Sequence, residues 1–117
     1  MTCHCEATDR HFGAERAESD LVAYRRRGPT GTARRLLRLV RELGIQPETL
    51  LDVGAGIGVL HHELLAGGAG TAVHVDAAGS YIRTAQAEAG RRGISTGCAS
   101  CTVIFWLSHR RSHPPTF

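Results

Sequence analysis

The sequence predicts an α/β fold in which a parallel sheet is preceded by two helices. Two apolar runs, Thr49–Val53 and Thr71–Val75, have the length and composition of buried strands. The first run lacks the alternation of apolar and polar residues, which is typical of a parallel strand covered on both faces. Each run is followed by a segment of helical periodicity, and repeats of strand and helix form parallel sheets with right-handed crossovers.

Four helices are predicted from apolar spacing and from the residues that start and stop helices. Their spans are Thr8–Arg27, Thr32–Leu43, Ile57–Leu65 and Ser80–Arg92, each followed within two residues by glycine. The first is polar, with few apolar positions. The second has an apolar stripe predicted to face the protein, formed by Ala33, Leu36, Leu37, Val40 and Leu43. Its arginines, Arg34, Arg35, Arg38 and Arg41, are predicted to face solvent.

The most informative segment joins the first predicted strand to the third helix. It reads LLDVGAGIGVL, and Asp76 ends the next strand, 18 positions after Gly58. Glycines separated by single residues bring bare backbone close to a ligand, because no side chain stands in the way. An acidic residue at about this spacing meets ribose hydroxyls in doubly wound folds. A turn without a ligand, with Asp76 as a helix N-cap, is the alternative.

These residues resemble the first motif of class I S-adenosylmethionine-dependent methyltransferases, an acidic residue followed by Gly-x-Gly-x-Gly. The matching residues are Asp52, Gly54, Gly56 and Gly58. A dinucleotide fingerprint has its third glycine one position later, at Val59, so methyltransferase is favoured over NAD binding. The resemblance covers about residues 30–93 and implies the N-terminal half of a doubly wound, Rossmann-like sheet. Residues 1–29 resemble the segment that such enzymes fold over the cofactor.

The resemblance also implies a cofactor site for S-adenosylmethionine. The turn from Gly54 through Ala55 to Gly58 would approach the methionine part, and Asp52 would anchor its amino group. Asp76, followed by Ala77, would take the ribose hydroxyls, because a carboxylate accepts two charge-assisted hydrogen bonds from a diol. The methyl acceptor in intact relatives would be a small molecule, and no catalytic base is assigned. A non-catalytic nucleotide-cofactor binding module and an NAD-binding fragment are the alternatives.

Residues 94–117 depart from the family pattern. Every Asp and Glu precedes residue 89, and the tail offers one predicted strand, Thr102–Leu107. The acidic residue that meets adenine and the acceptor-binding half are missing. We therefore interpret the chain as truncated after the third strand region and inactive in methyl transfer, with an out-of-frame tail. Truncation would leave Leu50, Leu51 and Val53 beside an open sheet edge, a hazard for self-association.

Composition argues against several other classes of protein. The net charge of +3 gives little support for nucleic-acid binding. No signal peptide and no apolar run of about 18 residues is present, so a cytoplasmic protein with reduced cysteines and no membrane span is expected. Zinc binding by Cys3, Cys5, Cys98 and Cys101 is disfavoured because the pairs lie at opposite chain ends. His61, His62 and Glu63 are predicted to be solvated or capping residues, and Arg25–Arg27 a solvated helix end.

Overall fold

The computed structural model describes residues 13–101 and 104–108, and it has the predicted α/β organisation. The helices are α1 (Ala14–Arg27), α2 (Gly31–Glu42), α3 (Val59–Ala66) and α4 (Gly79–Arg91). The strands are β1 (Thr49–Val53), β2 (Thr71–Val75), β3 (Ser95–Cys101) and β4 (Ile104–Ser108). Both N-terminal strands have the predicted bounds. The predicted start of the first helix, at Thr8, lies outside the described residues.

The sheet is parallel in its N-terminal half and antiparallel in its C-terminal half. β1 and β2 run parallel, with Thr49 opposite Thr71 and Val53 opposite Val75. The strand order is β1-β2-β4-β3, and β4 pairs antiparallel with both β2 and β3. The tail therefore supplies two strands where the sequence predicted one, over Thr102–Leu107. The difference has a physical reason: β2 has unpaired backbone groups on its second edge, and a hairpin satisfies them.

Two apolar clusters form the core. One lies between the sheet and helices α3 and α4, and its buried members are Leu65, Ala69, Ala72, Ile82, Ala85, Ala89 and Ile94. The other joins α1 to the glycine turn and the start of α4, and consists of Ala17, Leu21, Tyr24, Ile57, Ala78 and Tyr81. α1 is therefore held against the end of the sheet that carries the glycine turn.

β1 is covered on one face only, which corrects the prediction of a strand buried on both faces. Leu51 is 65% exposed and Val53 is 70% exposed, whereas Leu50 packs against the core. Strand burial depends on the layers above and below the sheet, and within the described residues only one face of β1 has helices against it. β1 is also the outer strand of the described sheet, as predicted for an open edge.

The second helix forms as predicted, but its apolar stripe is only partly buried. Leu37 is the buried member, while Leu36 is 42% and Leu43 is 70% exposed. α2 packs against α3 and has no second layer among the residues that the structure describes. The apolar spacing correctly predicted a helix, whereas burial of the whole stripe would need a larger packing partner.

Candidate functional site

The glycine turn connects β1 to α3 and is anchored to the end of β2. Gly54, Gly56 and Gly58 all have positive φ, of 68°, 58° and 87°. Because L-residues with side chains rarely adopt this conformation, the turn requires glycine at these positions. The backbone amides of Gly54 and Ala55 donate hydrogen bonds to the carbonyl oxygen of Val75, at 2.8 and 3.2 Å. The turn is thus fixed directly over the residue that precedes Asp76.

Asp76 joins the glycine turn through its carboxylate. Its Oδ2 atom accepts a hydrogen bond from the Gly56 amide at 2.8 Å, and its Oδ1 atom accepts one from the Ala78 amide at 2.8 Å. The two features that the sequence predicted to meet, the turn and this carboxylate, are in contact. A carboxylate offers about four acceptor positions, so two bonds leave capacity for a ligand diol.

The amides of the turn are largely occupied within the protein. Those of Gly54 and Ala55 bond to Val75, that of Gly56 bonds to Asp76, and that of Gly58 bonds to the Ala55 carbonyl at 2.9 Å. These four donors are therefore not free to hold a ligand carboxylate. What the turn offers to a ligand is close approach to bare backbone at Gly54 and Gly56.

A cleft of about 460 Å³ opens at this end of the sheet. It is lined by Arg16, Asp20, Gly54, Gly56, Asp76, Ala77 and Tyr81. Four of the predicted site residues, Gly54, Gly56, Asp76 and Ala77, therefore share one cleft. The other three residues come from α1 and α4 and were not predicted. Arg16 and Asp20 are one helical turn apart on α1, beside its buried Ala17 and Leu21, and this spacing is the signal that would have found them.

Tyr81 connects the wall of the cleft to the N-terminal helix. Its hydroxyl donates a hydrogen bond to the Asp20 carboxylate, and its ring lies 3.5 Å from the position a Cβ atom would take on Gly56. Burial and the bond to Asp20 raise the pKa of Tyr81 to about 12, so the hydroxyl stays protonated and remains a donor. A second cleft, of about 410 Å³, also borders Asp20, Gly56 and Tyr81.

The remaining predicted site residues lie away from the first cleft. Ala55 borders the second cleft. Asp52 has a side chain that is 10% exposed, and its Oδ2 atom lies 3.0 Å from Nδ1 of His61. Gly58 is buried, and a Cβ atom placed on it would lie 2.3 Å from Nε2 of His61. Asp52 therefore lies in the layer beneath the turn, and Gly58 ends the turn against that layer.

Three histidines are packed together in that layer. His61, His62 and His74 are fully buried, with ring centroids 4.5 Å apart for His61 and His62 and 5.1 Å apart for His61 and His74. The prediction that His61 and His62 are solvated or capping residues is wrong, because the first turn of α3 lies under the glycine turn and against β2. Glu63 is also partly buried, and it accepts a hydrogen bond from the Tyr24 hydroxyl.

Burial controls the ionisation of two of these histidines. Loss of solvent, followed by the charge of His61, lowers the pKa of His62 to about 3 and that of His74 to about 4. Both rings are therefore neutral near pH 7. The Nε2 atom of His62 lies 3.1 Å from the Ile57 carbonyl, so this nitrogen carries the proton and donates it to the carbonyl.

A buried carboxylate ties α1 to α4. Glu88 is fully buried and accepts hydrogen bonds from Arg25, Arg91 and Arg92 at 2.7 to 3.0 Å. Burial alone would raise the pKa of Glu88, but the hydrogen bonds from the three guanidinium groups outweigh burial and hold it well below its ordinary value. Arg25 is therefore part of an inter-helix bond, which corrects the prediction of a fully solvated helix end.

The described ranges contain no group of three or more His, Cys, Asp or Glu side chains that could hold a metal ion. Cys3 and Cys5 lie outside those ranges. Within the same part of the chain, no helix has the length and apolar character needed to cross a bilayer.

No family model matches this chain, and no curated protein or solved structure matches it either. The interpretation of the site therefore depends on its own geometry and chemistry.

Proposed function

We propose that the protein binds S-adenosylmethionine, or the product formed when its methyl group is lost, in the cleft between α1 and the glycine turn. Asp76 would accept hydrogen bonds from the ribose hydroxyls, and the turn would admit the ligand because Gly54 and Gly56 carry no side chains. The acceptor in an intact relative would be a small molecule. The proposal assigns no catalytic base and no methyl transfer to the described residues.

The observation that carries this proposal is the contact between Asp76 and the Gly56 amide at the wall of an open cleft. A carboxylate fixed at both oxygens is already oriented before a ligand arrives, which reduces the entropy lost on binding. The cleft is bordered by Arg16 and Asp20 as well as by the turn. It therefore offers hydrogen-bonding groups to a polar nucleoside at more than one wall.

NAD binding is the second candidate from the same geometry. A dinucleotide site places its pyrophosphate at the amides of a helix N-terminus that follows a Gly-rich turn. Here the Gly56 and Gly58 amides bond to Asp76 and Ala55, and Val59 occupies the position of the third dinucleotide glycine. Because these amides of the turn are already bonded, a nucleoside without a pyrophosphate is favoured over a dinucleotide.

Isothermal titration calorimetry with S-adenosylmethionine, S-adenosylhomocysteine and NAD tests the proposal. We expect micromolar binding of the first two ligands, a loss of at least tenfold in Asp76→Ala, and little change in Glu18→Ala, an exposed α1 site away from the cleft. Thermal melts of each variant separate lost binding from lost folding. Tighter binding of NAD would move the protein to the dinucleotide class, and an absence of binding by all three ligands would reject the proposal.

A further inference from the structure

The second cleft has one face of α1 as its wall. Asp20, Ala23, Tyr24 and Arg27 all line it. Positions i, i+3, i+4 and i+7 lie on one side of a helix, so this face of α1 borders the cleft along two helical turns. The volume of about 410 Å³ lies within the range of small-molecule sites, about 300 to 1,000 Å³.

The other side of the cleft is apolar. Ala33 comes from α2, and Ala55, Ile57 and Val59 come from the glycine turn and the start of α3. These side chains can remove the apolar body of a ligand from water, which favours binding. Within the described part of the chain, the charged side chains that line the cleft all come from α1.

Asp20 and Arg27 place opposite charges at the two ends of the α1 face. Seven residues of helix separate them, which is about 10 Å along the axis. Asp20 already accepts a hydrogen bond from the Tyr81 hydroxyl. Arg27 is exposed and makes no hydrogen bond or ion pair with the residues that the structure describes. Its guanidinium group carries five N–H donors in a planar fork that matches a carboxylate.

The neighbouring arginines have different surroundings from Arg27. Arg25 bonds to the buried carboxylate of Glu88, and Arg26 lines neither the first nor the second cleft. All three arginines are in the last turn of α1, where a positive charge offsets the negative end of the helix dipole. This effect is common to the three residues. The position at the rim of an apolar cleft distinguishes Arg27 from Arg26.

We propose that the second cleft binds a small organic acid, with its apolar body against Ala33, Ile57 and Val59 and its carboxylate on Arg27. Repulsion between like charges keeps the carboxylate away from Asp20 and directs it to the Arg27 end. An acid shorter than about 10 Å fits between the two charged residues. This site is separate from the proposed nucleoside site and does not require a ligand in the first cleft.

Nuclear magnetic resonance titration of the isotope-labelled full chain with two probes tests this site. Hydrocinnamate carries a carboxylate, and hydrocinnamamide has the same shape without the charge. We expect the acid to bind with a Kd in the millimolar range, which is typical of a ligand with about eleven non-hydrogen atoms. The acid should bind at least fivefold more tightly than the amide. Shifts of backbone amide signals should concentrate at Ala23, Ala33 and Val59.

Arg27→Gln separates the proposed contact from the general effect of charge, with Arg26→Gln as the matched control. Each variant removes one positive charge, and the two positions are adjacent and exposed. In Arg27→Gln the two probes should bind within twofold of each other, because the partner of the carboxylate is gone. In Arg26→Gln the acid should keep its fivefold preference. An equal loss of preference in both variants, or no binding of either probe by the natural protein, would overturn the inference.

Ala33→Phe tests the location of the site. A phenyl ring at this half-buried wall position fills part of the cleft, so both probes should bind at least fivefold more weakly. Thr32→Phe is the control, at an exposed position that does not line the cleft, and both affinities should stay within twofold. Unchanged binding of hydrocinnamate by Ala33→Phe would place the acid elsewhere and overturn the inference. Failure of S-adenosylhomocysteine to bind would reject the proposed function and leave this inference standing.

Discussion

Substitution of Gly58 by alanine tests the close packing between the glycine turn and the buried histidines. The residue has a φ of 87°, and a Cβ atom would lie 2.3 Å from Nε2 of His61 and 2.9 Å from Nε2 of His62. The left-handed conformation costs an alanine about 1 to 2 kcal/mol. Displacement of buried rings in a packed core costs a further 1 to 3 kcal/mol or so. We therefore expect Gly58→Ala to lower the free energy of unfolding by about 2 to 5 kcal/mol.

Urea unfolding followed by circular dichroism measures this loss. Gly93→Ala is the matched control, because Gly93 also has a positive φ, of 72°, and no atom lies within 4 Å of its Cβ position. This control should lose only the conformational part, about 1 to 2 kcal/mol. The difference between the two variants isolates the clash with the histidines. Equal losses in Gly58→Ala and Gly93→Ala would refute the packing described beneath the turn.

Three further predictions concern charge and exposure. Unfolding returns the pKa of His62 and His74 to about 6.5, so below that pH the unfolded chain binds more protons than the folded protein. The free energy of unfolding should therefore fall by about 2 kcal/mol per histidine between pH 7.5 and 5. In urea unfolding, His62→Gln should lose half as much free energy over this pH range as the natural protein, because only His74 still titrates. An unchanged loss in His62→Gln would exclude protonation of His62 as a cause. Glu88→Gln should lower the free energy of unfolding by about 2 kcal/mol at pH 7, because it weakens hydrogen bonds to a charged group. It should also flatten the further fall in stability below pH 4.5, and exposed Glu18→Gln is the control. Equal melting temperatures of Glu88→Gln and the natural protein would contradict the role of the carboxylate. Leu51→Lys should reduce concentration-dependent association in sedimentation velocity, because Leu51 is exposed on the edge strand; self-association at the same concentration would place the contact elsewhere.

The contact between the turn and Asp76 is the part of the candidate site that follows most directly from sequence. Parallel strands β1 and β2 carry their C-terminal ends to one side of the sheet, so glycines after one strand and an acid after the next must meet there. Strand bounds were predictable for a related reason: each run of five residues is delimited by polar or glycine residues. These features depend on local pattern and on the handedness of a single crossover.

The burial of particular polar residues could not be predicted in the same way. Glu88 is buried in α4 and accepts a hydrogen bond from Arg25, 63 positions earlier in the chain. His61 and His62 read as polar residues on a short helix, yet both lie under the glycine turn. The exposure of Leu51 and Leu43 is the opposite case. Apolar spacing predicts which residues share a face, but the layer that covers that face is set by tertiary structure.

The bonds that hold α1 have a consequence for the order of events during synthesis. Tyr24 bonds to Glu63, Asp20 to Tyr81 and Arg25 to Glu88, so the partners follow α1 by 39, 61 and 63 positions. A ribosome that adds about 5 to 20 residues each second needs several seconds to deliver them. Until α4 has emerged, the first helix lacks most of the surface on which it docks. The wall that α1 gives to the cleft is therefore completed late, after β1 and β2 are available to pair.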